Sequence, residues 1–162
     1  MTQELTQDLL RELFNYKDGH LYWKSKPNSR IDISKPAGSI WNGYVRIRIN
    51  GKSYRAHRLV FLVHHGYLPK EIDHIDGNKS NNAIENLRPA THSQNAHNAG
   101  KRKDNTSGFK GVTWYKPAKK WLARIKFKGK QNHLGYFDTA EQAYAAYCQA
   151  ANKLHKEFAN FG

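Results

Sequence analysis

A polar, basic tract at residues 98–108, Asn98-Ala99-Gly100-Lys101-Arg102-Lys103-Asp104-Asn105-Thr106-Ser107-Gly108, has no hydrophobic periodicity and interrupts the chain. Such a composition reads as a linker over 101–107. It leaves the 162 residues to be shared by two small modules, 1–100 and 108–162, each with a modest core. The single cysteine, Cys148, excludes an intramolecular disulfide and any cysteine-rich zinc site. Packing and hydrogen bonds must hold both modules, with Cys148 expected as a small buried helix residue.

Beyond the tract, residues 111–115, 121–127 and 132–137 are short strand candidates, with Lys128-Gly129 as a turn. In the middle one, Trp121, Ala123, Ile125 and Phe127 share one face, while Arg124, Lys126 and Lys128 share the other. Thr139 and Gln142 form a capping-box pattern, and Ala140, Ala143, Tyr144, Tyr147, Ala151 and Leu154 stripe the helix that follows. The expectation is a three-stranded antiparallel sheet with its greasy side on one helix and its cationic side open, of a width that fits a major groove.

In the first module, apolar spacing predicts a helix over 4–15 and a strand over 20–24. Residues 44–50 alternate strictly, Val45, Ile47 and Ile49 against Tyr44, Arg46 and Arg48, and Asn50-Gly51 is a type I′ turn signal before 52–57. Arg46 and Arg48 could then lie along a phosphate backbone, although a merely solvated face explains the pattern as well. Residues 58–65 form an apolar helical run stopped by Gly66 and Pro69. The fold class is therefore α+β.

Charge sharpens the division. Lys and Arg outnumber Asp and Glu 27 to 13, a formal +14, with a sequence pI near 9.9, which calls for a polyanionic partner. Residues 1–68 hold 11 basic and 5 acidic residues, 69–100 hold 3 and 4, and 101–162 hold 13 and 4. A near-neutral centre between basic flanks suggests a reaction centre carried by two binding surfaces. No long apolar run, signal-peptide pattern or basic amphipathic helix points to a membrane, so a soluble, intracellular protein is expected.

That centre, residues 71–95, is rich in Asp, Asn and His, and reads as strand, loop, strand and helix, with Thr91 and Gln94 as a second capping box. Phosphodiester hydrolysis needs a base for water, a Lewis acid for the phosphate oxygens and stabilisation of the leaving 3′ oxygen. Hard oxygens from Asp73 and Asn95 suit one Mg²⁺ or Mn²⁺, neutral His74 can accept a proton, and Asn86 can orient its imidazole. Neighbours on a regular strand face opposite ways, so Asp73 and His74 can serve one phosphate only where the strand twists or ends.

His57-Arg58-Leu59-Val60, Gly66, Pro69, Asp73-His74, Asp76-Gly77-Asn78, Asn81-Asn82, Asn86-Leu87-Arg88, Thr91 and Gln94-Asn95 together resemble the HNH (ββα-metal) nuclease motif in its phage homing-endonuclease form. The resemblance implies Asp73 and Asn95 as metal ligands, His74 as general base and Asn86 as the residue that positions it. Asn95 stands where the more familiar family members have histidine. Gly111-Val112, Trp121-Leu122-Ala123-Arg124-Ile125, the run from Leu134 to Ala143, Ala146-Tyr147 and Asn160-Phe161 resemble the plant apetala-two/ethylene-response DNA-binding domain. That resemblance implies DNA contacts from Lys110, Thr113, Tyr115, Arg124, Lys126 and His133.

The remaining candidates take ordinary roles. His92 and His97 are expected on the helix surface, His97 with the option of replacing a poor ligand, and His20, His64 and His65 as structural or solvated. Trp23, Trp41, Trp114 and Tyr44 are expected in cores. The expected protein is a monomer without a protein partner, cutting double-stranded DNA in the cytoplasm of a bacterial host. Two other readings stay open: a non-catalytic DNA-binding regulator with a degenerate nuclease motif, and a binder or nuclease of structured RNA.

Overall fold

The computed structural model describes residues 4–162. The fold is α+β, and the chain divides at Ala90/Thr91 into two compact units.

In the first unit the opening apolar stripe makes a shorter helix than its periodicity implies. Helix α1 spans Gln7–Leu13, with the Thr6 side chain accepting from Leu9 N–H, and the chain turns extended at Phe14. Phe14 is claimed by strand β1 (Phe14–Lys17), which pairs with β2 (His20–Trp23) and leaves Phe14 buried against Trp23. Tertiary pairing overrode the helical spacing here. Strands β3 (Ser39–Trp41), β4 (Tyr44–Ile49) and β5 (Lys52–Arg55) form an antiparallel sheet in that order, β3 being an edge the sequence did not reveal. The expected turn at Asn50-Gly51 has both residues at positive φ, and Ile47 and Ile49 are buried as the alternation required.

Helix α2 (Ala56–His65) ends at Gly66 in the left-handed conformation. Its Leu59, Val60, Phe61 and Leu62 form one core with Leu10, Leu21, Trp23 and Ile47. That core supports a two-stranded ribbon, β6 (Glu71–His74) and β7 (Leu87–Ala90), joined by the polar loop of residues 75–86.

The second unit opens with α3 (His92–Asn98), whose capping box, Thr91 with Gln94, forms as read from the sequence. Strands β8 (Val112–Tyr115), β9 (Lys120–Phe127) and β10 (Lys130–Phe137) follow in the spatial order β10-β9-β8, antiparallel throughout. Helix α4 (Ala140–His155), capped by Thr139 and Gln142, covers the greasy face, where Ala123, Ile125, Ala143, Tyr147 and Ala151 are buried. Leu122 is also buried, although alternation assigns it to the cationic face. Its register partners there are Thr113 and Tyr136, and the Tyr115 and Tyr136 rings lie 5.3 Å apart. Within the tract read as a linker, Asn105 Nδ2 donates to Phe109 O, and Ser107 Oγ to Phe109 O and Val112 O, tying it to the start of β8.

Trp41 and Trp114, expected in cores, are instead 55% and 45% exposed. Each lies at or beside a strand end, and the Trp114 ring stands edge-on to Trp121 with centroids 5.2 Å apart. Cys148 is half-buried.

Candidate active site and nucleic-acid interface

His74 is the last residue of β6, so adjacent Asp73 and His74 can share a site because the strand, and with it the strict alternation of faces, ends at that point. Both residues are buried, at 3% and 5% exposure. Asp73 lies opposite Arg88 in the ribbon register, and its Oδ2 accepts from Arg88 Nε at 2.9 Å and Nη2 at 2.8 Å. A carboxylate taken this far from water needs such a countercharge.

The imidazole of His74 is held by Asn82: Nε2 lies 3.2 Å from Asn82 Oδ1. That oxygen can only accept, so Nε2 carries the proton and Nδ1 holds the lone pair of the neutral ring. Burial pushes His74 below the ordinary histidine value. The Asn82 hydrogen bond and the carboxylates of Asp76 and Asp73 pull the other way, and Lys79 adds to the fall. The ring of His57 stands edge-on to His74 with centroids 4.9 Å apart. Burial drives His57 down to about 3, helped by His74, Arg55 and Arg58, so it is a neutral wall of the site.

Asn86, expected to orient the imidazole, holds the loop instead. Its Nδ2 donates to Asp76 Oδ1 and to Asn81 O, and its Oδ1 accepts from Asp76 N–H. Asp76 is the hub of this loop, accepting also from Asn78 N–H and Asn81 Nδ2. Burial works against ionisation of Asp76, but the Asn81 and Asn86 amides and the Asn78 N–H outweigh it and keep the carboxyl below its usual value. In sequence Asn82 is only one half of the Asn81-Asn82 pair. Its task comes from a distant hairpin: the turn Asp18-Gly19 packs on the backbone of Asn82 and Ala83, and Tyr16 Oη accepts from Ile84 N–H. A Cβ at Gly19 would lie 2.8 Å from Ala83 N, and its φ is +79°, so only glycine allows that approach.

Asn95 stands in α3, its N–H bonded to Thr91 O at 3.0 Å, and is half-buried in the second unit. No group of three or more His, Cys, Asp or Glu gathers into a metal cage among the described residues. A carboxylate oxygen such as that of Asp73 fits a hard divalent cation.

The sheet of the second unit brings five of the six expected contact residues to one face. Thr113 and Tyr115 on β8, Arg124 and Lys126 on β9 and His133 on β10 share it, with Arg124 opposite His133. Arg124, Lys126 and His133 are exposed. Lys110 is the exception and a correction: its Nζ donates to His97 O, Ala99 O and Asn160 O at 2.8, 2.5 and 3.0 Å. All three of its donors are spent inside the unit, and burial lowers the ammonium to about 8. His97 is likewise not a free surface residue, since its ring stacks on His155 at 3.7 Å. In the first unit, Arg46 lies over the Trp41 ring at 4.0 Å, Arg55 over Tyr44 at 4.4 Å, and Arg48 is exposed.

A buried histidine with a fixed tautomer beside a carboxylate, on a two-stranded ribbon, joined in sequence to a cationic sheet, defines a nuclease with a DNA-binding domain. Comparison with known proteins makes this specific: a family model described as HNH endonuclease matches residues 54–97, and an AP2 domain model matches residues 107–157. Protein 3.8 of Escherichia phage T7 is 38% identical over 112 residues, covering 68% of this chain and 92% of that protein. An uncharacterized HNH endonuclease of Acanthamoeba polyphaga mimivirus is 37% identical over 106 residues, 64% of this chain and 54% of its own. APETALA2-like protein 2 of Oryza sativa subsp. indica is 45% identical over 49 residues, 30% of this chain and 11% of that protein. No solved structure matches. The chain belongs to the phage HNH endonucleases, with an AP2-like domain at its C-terminal side.

Proposed function

We propose that this endonuclease is metal-dependent and of the homing type, hydrolysing phosphodiester bonds of double-stranded DNA to leave a 3′ hydroxyl and a 5′ phosphate. The observation that carries the chemistry is the Nε2–H of His74 committed to Asn82, which leaves Nδ1 as the basic nitrogen. His74 Nδ1 takes a proton from water as the water oxygen bonds to phosphorus, the P–O3′ bond breaks, and solvent returns a proton to the 3′ oxygen. Asp73 is the proposed metal ligand in the first unit, and Asn95 is proposed as a ligand on motif spacing alone. A divalent cation held by Asp73 would supply Lewis-acid neutralisation of the phosphate and of the leaving oxygen. Asp76 and Asn86 act one step back, by shaping the loop that carries Asn82.

Arg46 and Arg48 in the first unit, and Thr113, Tyr115, Arg124, Lys126 and His133 in the second, are the proposed DNA contacts. Two unlike modules in one chain suit a long asymmetric site read by a monomer. No helix of the described residues is long and apolar enough to cross a membrane, and the phage relative favours action in the cytoplasm of a bacterial host. The test is cleavage of supercoiled DNA with Mg²⁺ or Mn²⁺, against EDTA and His74→Ala. Nicked or linear product that vanishes in both controls is expected, with His74→Ala retaining DNA affinity and losing about 10²- to 10⁴-fold in rate. Retarded but intact DNA with both metals would reject the metal-dependent reading.

A further inference from the structure

The outer face of the first unit's sheet carries more than arginines. Trp41 ends edge strand β3 at the turn Asn42-Gly43, and Tyr44 begins β4 opposite it. By register and alternation Trp41, Tyr44, Arg46 and Arg55 share one face. Arg46 lies against the Trp41 ring, while Arg55 and Lys79 both approach the Tyr44 ring, Lys79 Nζ at 5.1 Å. Trp41 is 55% exposed on this face, whereas Ile40 lies opposite Val45 and points to the other face of the strand. A tryptophan this open, on a sheet edge, marks a surface that something covers. Holding Arg46 in place is too small a gain at an exposed site to account for it.

What covers it is indicated by its surroundings. Arg46 lies on Trp41, Arg55 and Lys79 lie on the neighbouring Tyr44, no acidic side chain pairs with these three in the structure's ion pairs among the described residues, and the chain as a whole carries +14. The face also runs into the reaction centre: the Tyr44 ring lies 5.6 Å from His57 and 6.2 Å from His74. A polyanion seated on the arginines therefore has its backbone beside the general base, with Trp41 at the next position outward.

The geometry points to the β3–β4 hairpin tip as a wedge: Trp41 inserts at a base step of duplex DNA next to the scissile phosphate and unstacks it. This rests on the duplex-DNA substrate proposed above. Apolar side chains inserted at base steps kink the duplex and let it wrap more protein surface, at the expense of stacking. The cations around Trp41 would hold the phosphates while the step opens. Tyr44, approached by Arg55 and Lys79, is the floor against which the strand is bent toward His74.

Permanganate, which oxidises unstacked thymines, reads the step directly. The full-length protein in EDTA is bound to a thymine-rich duplex that it retards in a gel, beside the full-length Trp41→Ala and Ile40→Ser variants, each checked by thermal melting. A hyper-reactive thymine in the wild-type complex, lost in Trp41→Ala and kept in Ile40→Ser, whose side chain points to the other face, is expected. With Mg²⁺ or Mn²⁺ added, Trp41→Ala should cut fully paired DNA about 10- to 100-fold more slowly, and a mismatch at the reactive step should restore most of that rate. Thymines as protected as in free DNA, reactivity in Trp41→Ala equal to wild type, or a rate loss that the mismatch does not restore would each overturn the wedge. Wild-type protein that unstacks DNA without cutting it would support the wedge and sink the hydrolytic reading, so the two failures are distinct. DNA that is never retarded overturns both.

Discussion

Removing the guanidinium that faces Asp73 is the most informative perturbation of the site. In Arg88→Met the Asp73 carboxylate, 4% exposed at its side chain, is deprived of two charge-assisted hydrogen bonds of 2.8 and 2.9 Å. Hydrogen bonds to charged groups contribute about 1.5–3 kcal/mol each, and removing one partner of a buried ion pair costs about 3–5 kcal/mol. Arg88 is itself 15% exposed, so some water reaches the vacated space and the lower end, about 3 kcal/mol, is expected. For a unit of this size that is a fall in melting temperature on the order of 10 °C or more. Thermal melting of wild type, Arg88→Met, Asp73→Asn and the double variant measures it, and the double variant should be less destabilised than the sum of the singles by about 2 kcal/mol. Saturating Mn²⁺ should recover more stability in Arg88→Met than in wild type, because a bound cation replaces the missing charge; a hundredfold excess over its dissociation constant adds about 2.7 kcal/mol. Melting temperatures within about 1 °C of each other, with additive singles, would refute the view that Arg88 holds the Asp73 carboxylate in place.

Three further outcomes are expected. Asn82→Leu should fold and bind DNA yet cut about 10- to 100-fold more slowly, the usual effect of losing a group that orients a functional histidine; single-turnover cleavage beside a gel-shift titration separates the two. Arg124→Ala with Lys126→Ala should flatten the dependence of log binding constant on log salt by roughly 0.9 for each phosphate no longer neutralised, and an unchanged slope would remove that face from the interface. Lys110, depressed from 10.5 to about 8 by burial, binds fewer protons folded than unfolded between those values. Wild type should therefore gain stability relative to Lys110→Met as pH rises from about 8 to 10.5, and urea midpoints across that range check the sign.

Much of the second unit was legible because its signals are local. Alternation over residues 121–127, the Lys128-Gly129 turn and the Thr139/Gln142 capping box specify strand, turn and helix from neighbours a few residues apart, and the structure follows them. The same is true of the hairpin through Asn50-Gly51 and of the helix stop at Gly66. Asp73 and His74 stood out as a spaced set of oxygen and nitrogen donors, which is a property of sequence.

What sequence could not give depends on distant partners. The first helix ends at Leu13 because Phe14 gains more from the core beside Trp23 than from another helical turn. Asn82 rather than Asn86 meets His74 because a hairpin some sixty residues earlier, through Gly19 and Tyr16, fixes the backbone at residues 82–84. Lys110 looks like any cation of a basic face until three carbonyls, one of them from Asn160, are found around its ammonium. Propensity, periodicity and donor chemistry are written in neighbouring residues, and so the sequence by itself determined most element types, the charge layout and the pair proposed to react. Burial and hydrogen-bond partnership are set by groups far apart in the chain, and so only the tertiary structure decided which polar side chains face a substrate and which are spent holding the protein together.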